Sequence, residues 1–188
     1  MEQDNPRPVD TLPTPNPEAL MFKAGVELVE KGSYEFDTAT SAEDSPLPRR
    51  LFCLDGVSQV LVTSRFVTVT KQADYRWPEL VPAIKSLIRE HLDSGDLAVD
   101  QVEKVKSTAG DSSLATAIEE LIDAQVRPAV AMDGGDIQFV GLTEDKMVQL
   151  RLIGACSSCP SSMTTLRIGI ESLLLDEFPD LQGVEQVV

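Results

Sequence analysis

The chain is short of cysteine, histidine, aromatic side chains and positive charge. Three cysteines in 188 residues cannot form the dense cross-linking of a disulfide scaffold, so the fold must rest on a packed core. Aromatics make up only 5% of the chain, while 42% is hydrophobic, so that core has to be mostly aliphatic. No run reaches eighteen apolar residues, which leaves no candidate membrane span. The first residues, Met1-Glu2-Gln3-Asp4-Asn5-Pro6, are acidic and lack an apolar stretch. They resemble neither a secretory signal nor an arginine-rich transit segment, and the expectation is a cytoplasmic protein, with a trimmed organellar form as the alternative. Lysine and arginine number 16 against 31 acidic residues. A net charge of −15 argues against nucleic acid as a partner, because phosphate backbones are held by basic patches.

The charge is unevenly spread. Residues 1–92 carry 10 basic and 14 acidic side chains, and residues 93–188 carry 6 and 17. The second half therefore holds most of the negative excess, which serves solubility and also suits docking on basic surfaces.

Punctuation residues divide the chain. Five prolines in the first seventeen residues suggest a disordered or extended arm over 1–15. Residues 16–93 then read as a first domain. Short strand-like runs cover 19–23 and 26–29. Ser45-Pro46 opens a helix with Leu47, Leu51, Phe52 and Leu54 on its apolar side, and Asp55-Gly56 ends it. Residues 57–63 and 66–70 alternate as a hairpin. Trp77-Pro78 opens a second helix whose face carries Leu80, Ile84, Leu87, Ile88 and His91. Residues 94–111 are polar and aperiodic, as expected of a flexible linker.

Residues 112–188 form a second unit with the order α-β-β-α-β. Ser113 caps a helix carrying Ile118, Leu121, Ile122 and Val126 and running to about Arg127. Asp133-Gly134-Gly135-Asp136 is a turn that glycine makes accessible. Residues 137–142 and 147–152 pair as antiparallel strands. A long helix bearing Met163, Leu166, Ile170, Leu173 and Leu174 stops at Phe178-Pro179, and residues 184–188 add a last strand. The fold class is α+β, with two small α/β sandwiches joined by a linker.

Between the second strand and the long helix lies Gly154-Ala155-Cys156-Ser157-Ser158-Cys159-Pro160-Ser161-Ser162. Pro160 suits the first helical position, which makes Cys159 a candidate N-cap. The helix dipole and its open amides favour thiolate there. Small serines leave room for a bulky inorganic core at what reads as an exposed strand–helix turn. Two thiolates at this spacing can grip one soft metal centre, yet zinc or a cubane cluster takes about four protein ligands. The only other cysteine is Cys53, over a hundred residues upstream. Three readings stay open on spacing alone: a cluster or zinc half-site completed by a second molecule, a redox dithiol, or an inert buried pair. No thioredoxin-like βαβ frame precedes the pair, and Pro160 follows it instead of sitting inside it. Of the other candidates, Cys53 reads as a buried structural thiol. His91 reads as a packing or helix-end residue, Asp133 and Asp136 as turn residues, and Arg49 and Arg50 as solvated.

The run Arg127-Pro128, Asp133-Gly134-Gly135-Asp136, the cysteine loop, Thr165-Leu166 and Gly169-Ile170-Glu171 closely resembles the C-terminal domain of the NifU/Nfu iron–sulfur proteins. Asn16-Pro17 with Leu20 and Phe22, Ser45-Pro46-Leu47 with Arg50-Leu51-Phe52, Gly56-Val57 and Phe66-Val67-Thr68-Val69-Thr70-Lys71 are similar to the Nfu N-terminal domain. The resemblance spans about residues 16–188. It lacks the cysteine-rich scaffold and ferredoxin-like parts of full NifU proteins, and the A-type domain of some bacterial Nfu proteins. It implies a non-enzymatic carrier that binds a 4Fe-4S cluster (2Fe-2S being possible) through Cys156 and Cys159. It further implies a cluster-bridged homodimer, an upstream assembly scaffold as donor and apo iron–sulfur proteins as recipients. With no transit segment in view, a bacterial member is expected.

Overall fold

A computed structural model of the protein describes residues 8–99, 112–157 and 160–187. The chain divides into two compact units, residues 1–102 and 103–188. Helices and strands are mixed in both, so the α+β class holds. Among the described residues no helix is long and apolar enough to cross a membrane.

The first unit is a five-stranded antiparallel sheet in the order β1-β2-β5-β4-β3. Its strands are β1 (Asp10–Pro13), β2 (Ala19–Lys23), β3 (Tyr34–Phe36), β4 (Val57–Val62) and β5 (Phe66–Lys71). β5 is central and buried at every position. Two helices, α1 (Pro46–Phe52) and α2 (Trp77–Ser94), carry prolines in their first turn, where the missing N–H costs nothing. They supply Leu47, Leu51, Ile84 and Ile88 to a core shared with Phe22, Val60, Val62, Val67 and Val69. The Gly56 turn is fixed by sterics. Its φ is +95°, and a Cβ there would lie 2.3 Å from the Tyr75 ring.

Four expectations for this unit need correction. The arm over 1–15 is not wholly unstructured: residues 10–13 pair with β2. Pro13 tolerates this because it ends an edge strand, and it biases Leu12 toward extended backbone. Residues 26–29 are not a strand. Leu28 and Val29 are buried from a loop, so burial and not pairing explains their apolar character. The helix end is also followed by packed chain: Gly95 closes α2 with φ +74°, Ala98 and Val99 are buried, and Leu47 N–H donates to the Ala98 carbonyl. Residues 94–99 therefore belong to the first unit, and the rest of the expected linker, 100–111, lies outside the described residues. Finally, Cys53 is exposed. It stands at the C-cap of α1, where its thiol donates to the Arg49 carbonyl.

His91 is 2% exposed, and its Nε2 is buried with no hydrogen-bond partner among the described residues. Burial lowers its pKa below the usual histidine value, and the nearby Arg50 adds to this against the opposing pull of Asp96. The unfolded chain therefore binds a proton more readily than the folded one, so stability is fullest above about pH 6.5 and declines as pH falls below it. It is the only histidine in the chain. Thermal unfolding of the full chain should show a lower first-unit midpoint at pH 5.5 than at pH 7.5. In His91→Leu that pH slope should flatten; a slope that persists would assign the effect to other groups.

The second unit has a three-stranded sheet ordered β6-β7-β8, with β6 and β7 antiparallel and β8 parallel to β7. The strands are β6 (Gly135–Leu142), β7 (Met147–Gly154) and β8 (Gly183–Gln186). The opening helix runs past the expected stop at Arg127. It comprises α3 (Ser112–Leu121), a π turn (Ile122–Val126) and α4 (Arg127–Met132), with Pro128 in the first turn of α4. Its buried stripe is Ile118, Ile122, Val126 and Val130, spaced by four throughout. A 3.6-residue helix rotates such a stripe by about 40° at each step. The wider π turn takes up that drift and keeps all four side chains on the sheet. α5 (Pro160–Glu177) starts at the expected proline and ends before Phe178-Pro179. Ile170 and Leu174 join Ile137, Val148, Leu150, Leu152 and Val184 in the second core.

Candidate functional site

β7 ends at Gly154, whose φ of +75° is cheap only for glycine. The chain then turns through Ala155, Cys156 and Ser157. Ser157 closes the turn by donating from its N–H (3.1 Å) and its Oγ (2.8 Å) to the Gly154 carbonyl. Ala155 N–H donates to the Gly134 carbonyl at 3.3 Å, which ties the turn to the start of β6.

Cys156 is 1% exposed and packs within the second core. This corrects the expectation of a cysteine lying open at the turn. The reason lies across the strand pair, where Gly135 sits opposite Gly154. A Cβ built on Gly135 would meet Cys156 Sγ at 2.6 Å and the Ile153 carbonyl oxygen at 2.8 Å. The thiol thus occupies the space that a side chain at 135 would fill. Cys156 carries a thiol, not a disulfide. Cys159 lies outside the described residues, so its expected N-cap position is not described. Among the described residues, no group of three or more His, Cys, Asp or Glu side chains is placed to hold a metal ion.

Sequence reasoning missed the ion pairs beside this turn. Arg127 Nη1 donates to both carboxylate oxygens of Asp136, at 2.7 and 2.8 Å. Its Nε and Nη2 donate to Asp123 Oδ1 at 2.9 and 2.7 Å. The Asp136 side chain is 7% exposed, and its Oδ1 also accepts from Ile137 N–H. Burial on its own lowers the Arg127 pKa, but the two carboxylates outweigh it and hold the guanidinium above its usual value. Asp136 is therefore a buried, neutralised anion and not merely a turn residue, whereas Asp133 does sit in the turn as expected. The available signal was chemical: an aspartate directly before an apolar strand needs a cation nearby.

Each of the two units coincides with a family match. Residues 9–95 match the family described as scaffold protein Nfu/NifU N terminal, and residues 118–185 match the NifU-like domain. NifU-like protein 5, mitochondrial, of Arabidopsis thaliana is 43% identical over 99% of this chain and 70% of its own length. The chain belongs to the Nfu family of NifU-like proteins. The NFU1 iron-sulfur cluster scaffold homolog, mitochondrial, of Drosophila sechellia is 38% identical over 95% of this chain and 64% of its own length. The solution structure of a NifU-like protein from Saccharomyces cerevisiae covers 54% of this chain and 92% of its own, at 22% identity and a TM-score of 0.49.

The cytoplasmic, bacterial placement expected from the sequence is corrected by these relatives. Both the Arabidopsis and Drosophila proteins are mitochondrial by name. The chain spans 64 to 70% of their length, so its first residues do not decide a compartment.

Proposed function

We propose that this Nfu protein is a non-enzymatic carrier of iron–sulfur clusters, and that Cys156 and Cys159 are the ligands it contributes. The observation that carries this reading is the NifU-like domain match over 118–185, which encloses both cysteines, in a chain whose relatives include proteins named iron-sulfur cluster scaffold. The cargo is a 4Fe-4S cluster. Such a core takes about four thiolates, and one chain supplies two at the loop. Two chains therefore meet at the cargo, their loops facing across a two-fold axis, the commonest oligomer symmetry. An upstream assembly scaffold loads the cluster, and apo iron–sulfur proteins receive it as their own cysteines replace Cys156 and Cys159. The acidic second unit has little reason to self-associate without metal, which makes the bridge easy to split. Residues 112–188 are the cluster-binding domain, and the first unit serves recipient choice.

Anaerobic reconstitution of the full chain, followed by incubation with a cluster-free 4Fe-4S enzyme, tests the function. The expected result is a brown protein carrying iron and sulfide, and recovery of the enzyme's activity when a chelator is present to intercept released iron. A colourless zinc protein, or metal-free reduction of disulfide substrates, would replace this reading with a zinc-bridged module or a dithiol oxidoreductase.

A further inference from the structure

Gly134 and Gly135 form the floor on which the Cys156 thiol rests. The Gly134 carbonyl accepts from Ala155 N–H, and the bare Cα of Gly135 faces Sγ. A pair of glycines is a poor floor on its own, because glycine has the widest conformational choice of any residue. Something must hold it, and the next residue is Asp136. Both oxygens of its carboxylate accept from one Arg127 nitrogen, Nη1, while the Nε and Nη2 edge of that guanidinium grips Asp123. Asp123 lies in the π turn and Arg127 in the first turn of α4. The fork thus joins the opening helix to the first residues of β6. The planar guanidinium holds the two carboxylates through separate edges and so fixes their relative orientation, which the compact ammonium of a lysine cannot do.

We infer that Arg127 is a positioning residue for the cluster site: by clamping Asp136 it holds the Gly134-Gly135 floor and so fixes the Cys156 thiol. This inference rests on the proposed function for its cluster arm but not for its thiol arm. Groups bonded directly to a metal ligand are worth ~10- to 100-fold in metal affinity, and the lower end of that range is expected for Arg127, which acts through the backbone at Gly134-Gly135.

The test uses the full chain with Arg127→Lys, which keeps the charge and loses the fork, and with Asp136→Asn. Asp123→Ala removes the outer partner of the guanidinium, whose side chain is 55% accessible, and should raise the Cys156 rate less than either of the other two. The metal-free proteins are pulsed with iodoacetamide, and modification is read at each cysteine by fragment mass, exposed Cys53 being the internal standard. In the natural chain Cys156 should react far more slowly than Cys53. In Arg127→Lys and Asp136→Asn its rate should rise by about tenfold, as local opening exposes it, with Cys53 unchanged and circular dichroism native. After reconstitution, the same two variants should lose iron to a chelator ~10-fold faster. Cys156 rates within twofold of the natural chain in both variants would overturn the inference. So would unfolding of both, which would make the pair a folding element. A natural chain that takes no cluster would sink the proposed function and leave the alkylation result to decide the role of Arg127.

Discussion

Replacing Cys156 with serine should bring reconstituted iron and sulfide from about four of each per pair of chains to background. Serine matches the shape of cysteine but stays protonated at neutral pH and is a hard ligand, whereas Fe–S cores are held by thiolates. Cys159→Ser should do the same. Cys53→Ser should load like the natural chain, because Cys53 is exposed at the end of α1, where its thiol donates to the Arg49 carbonyl. The measurement is iron and sulfide per chain after anaerobic reconstitution, with circular dichroism as the check on folding. A Cys53→Ser protein that cannot hold iron would break the ligand assignment.

Adding one methyl group at Gly135 should be nearly as damaging, though Gly135 contributes no ligand. Its Cβ would sit 2.6 Å from Cys156 Sγ, 3.1 Å from Cys156 Cβ and 2.8 Å from the Ile153 carbonyl oxygen. The sulfur could rotate, but the carbonyl belongs to the partner strand and cannot yield without breaking pairing. Overpacking of this kind costs about 1–3 kcal/mol. In a unit this small each kcal/mol lowers the midpoint by about 4–8 °C. Gly135→Ala should therefore melt several degrees lower and load poorly, since the thiol is displaced from its seat. Gly169→Ala is the matched control: a Cβ there meets nothing within 4 Å, and helix propensity favours alanine. Equal midpoints and equal loading for both variants would show that Gly135 does not seat the thiol.

The contrast between these two glycines shows what the sequence makes legible. Gly169 and Gly135 look alike as letters. Only the pairing of Gly135 with Gly154 brings the Cys156 sulfur over one of them. Features set by nearest neighbours in the chain were readable: Pro46, Pro78 and Pro160 at helix starts, Phe178-Pro179 at a helix stop, and the alternation of β4, β5 and β7. Features that depend on contacts between distant segments were not. Cys53 sits among apolar residues in the sequence, yet α1 ends one residue before it and leaves it at the surface. Cys156 follows a strand and precedes small polar serines, a pattern that suggests exposure, yet the glycine floor admits it to the core. The run 10–13 becomes a strand only because β2 offers a free edge. The four-residue spacing of Ile118, Ile122, Val126 and Val130 held a readable clue to the π turn, because a regular helix rotates that stripe by about 40° at each step. The cysteine pair itself was plain from spacing, but its chemistry was not. Family membership, and not geometry, favours the proposed cluster ligands over a dithiol here.

The central claim is that one iron–sulfur core is held between two chains by the cysteine loop. Native mass spectrometry of the reconstituted full chain, run beside the metal-free protein, tests it most directly. The expected species are a monomer without metal and, after reconstitution, a dimer heavier than two chains by one 4Fe-4S core, lost together with the dimer in Cys156→Ser. A reconstituted species carrying the core on a single chain would contradict the shared site.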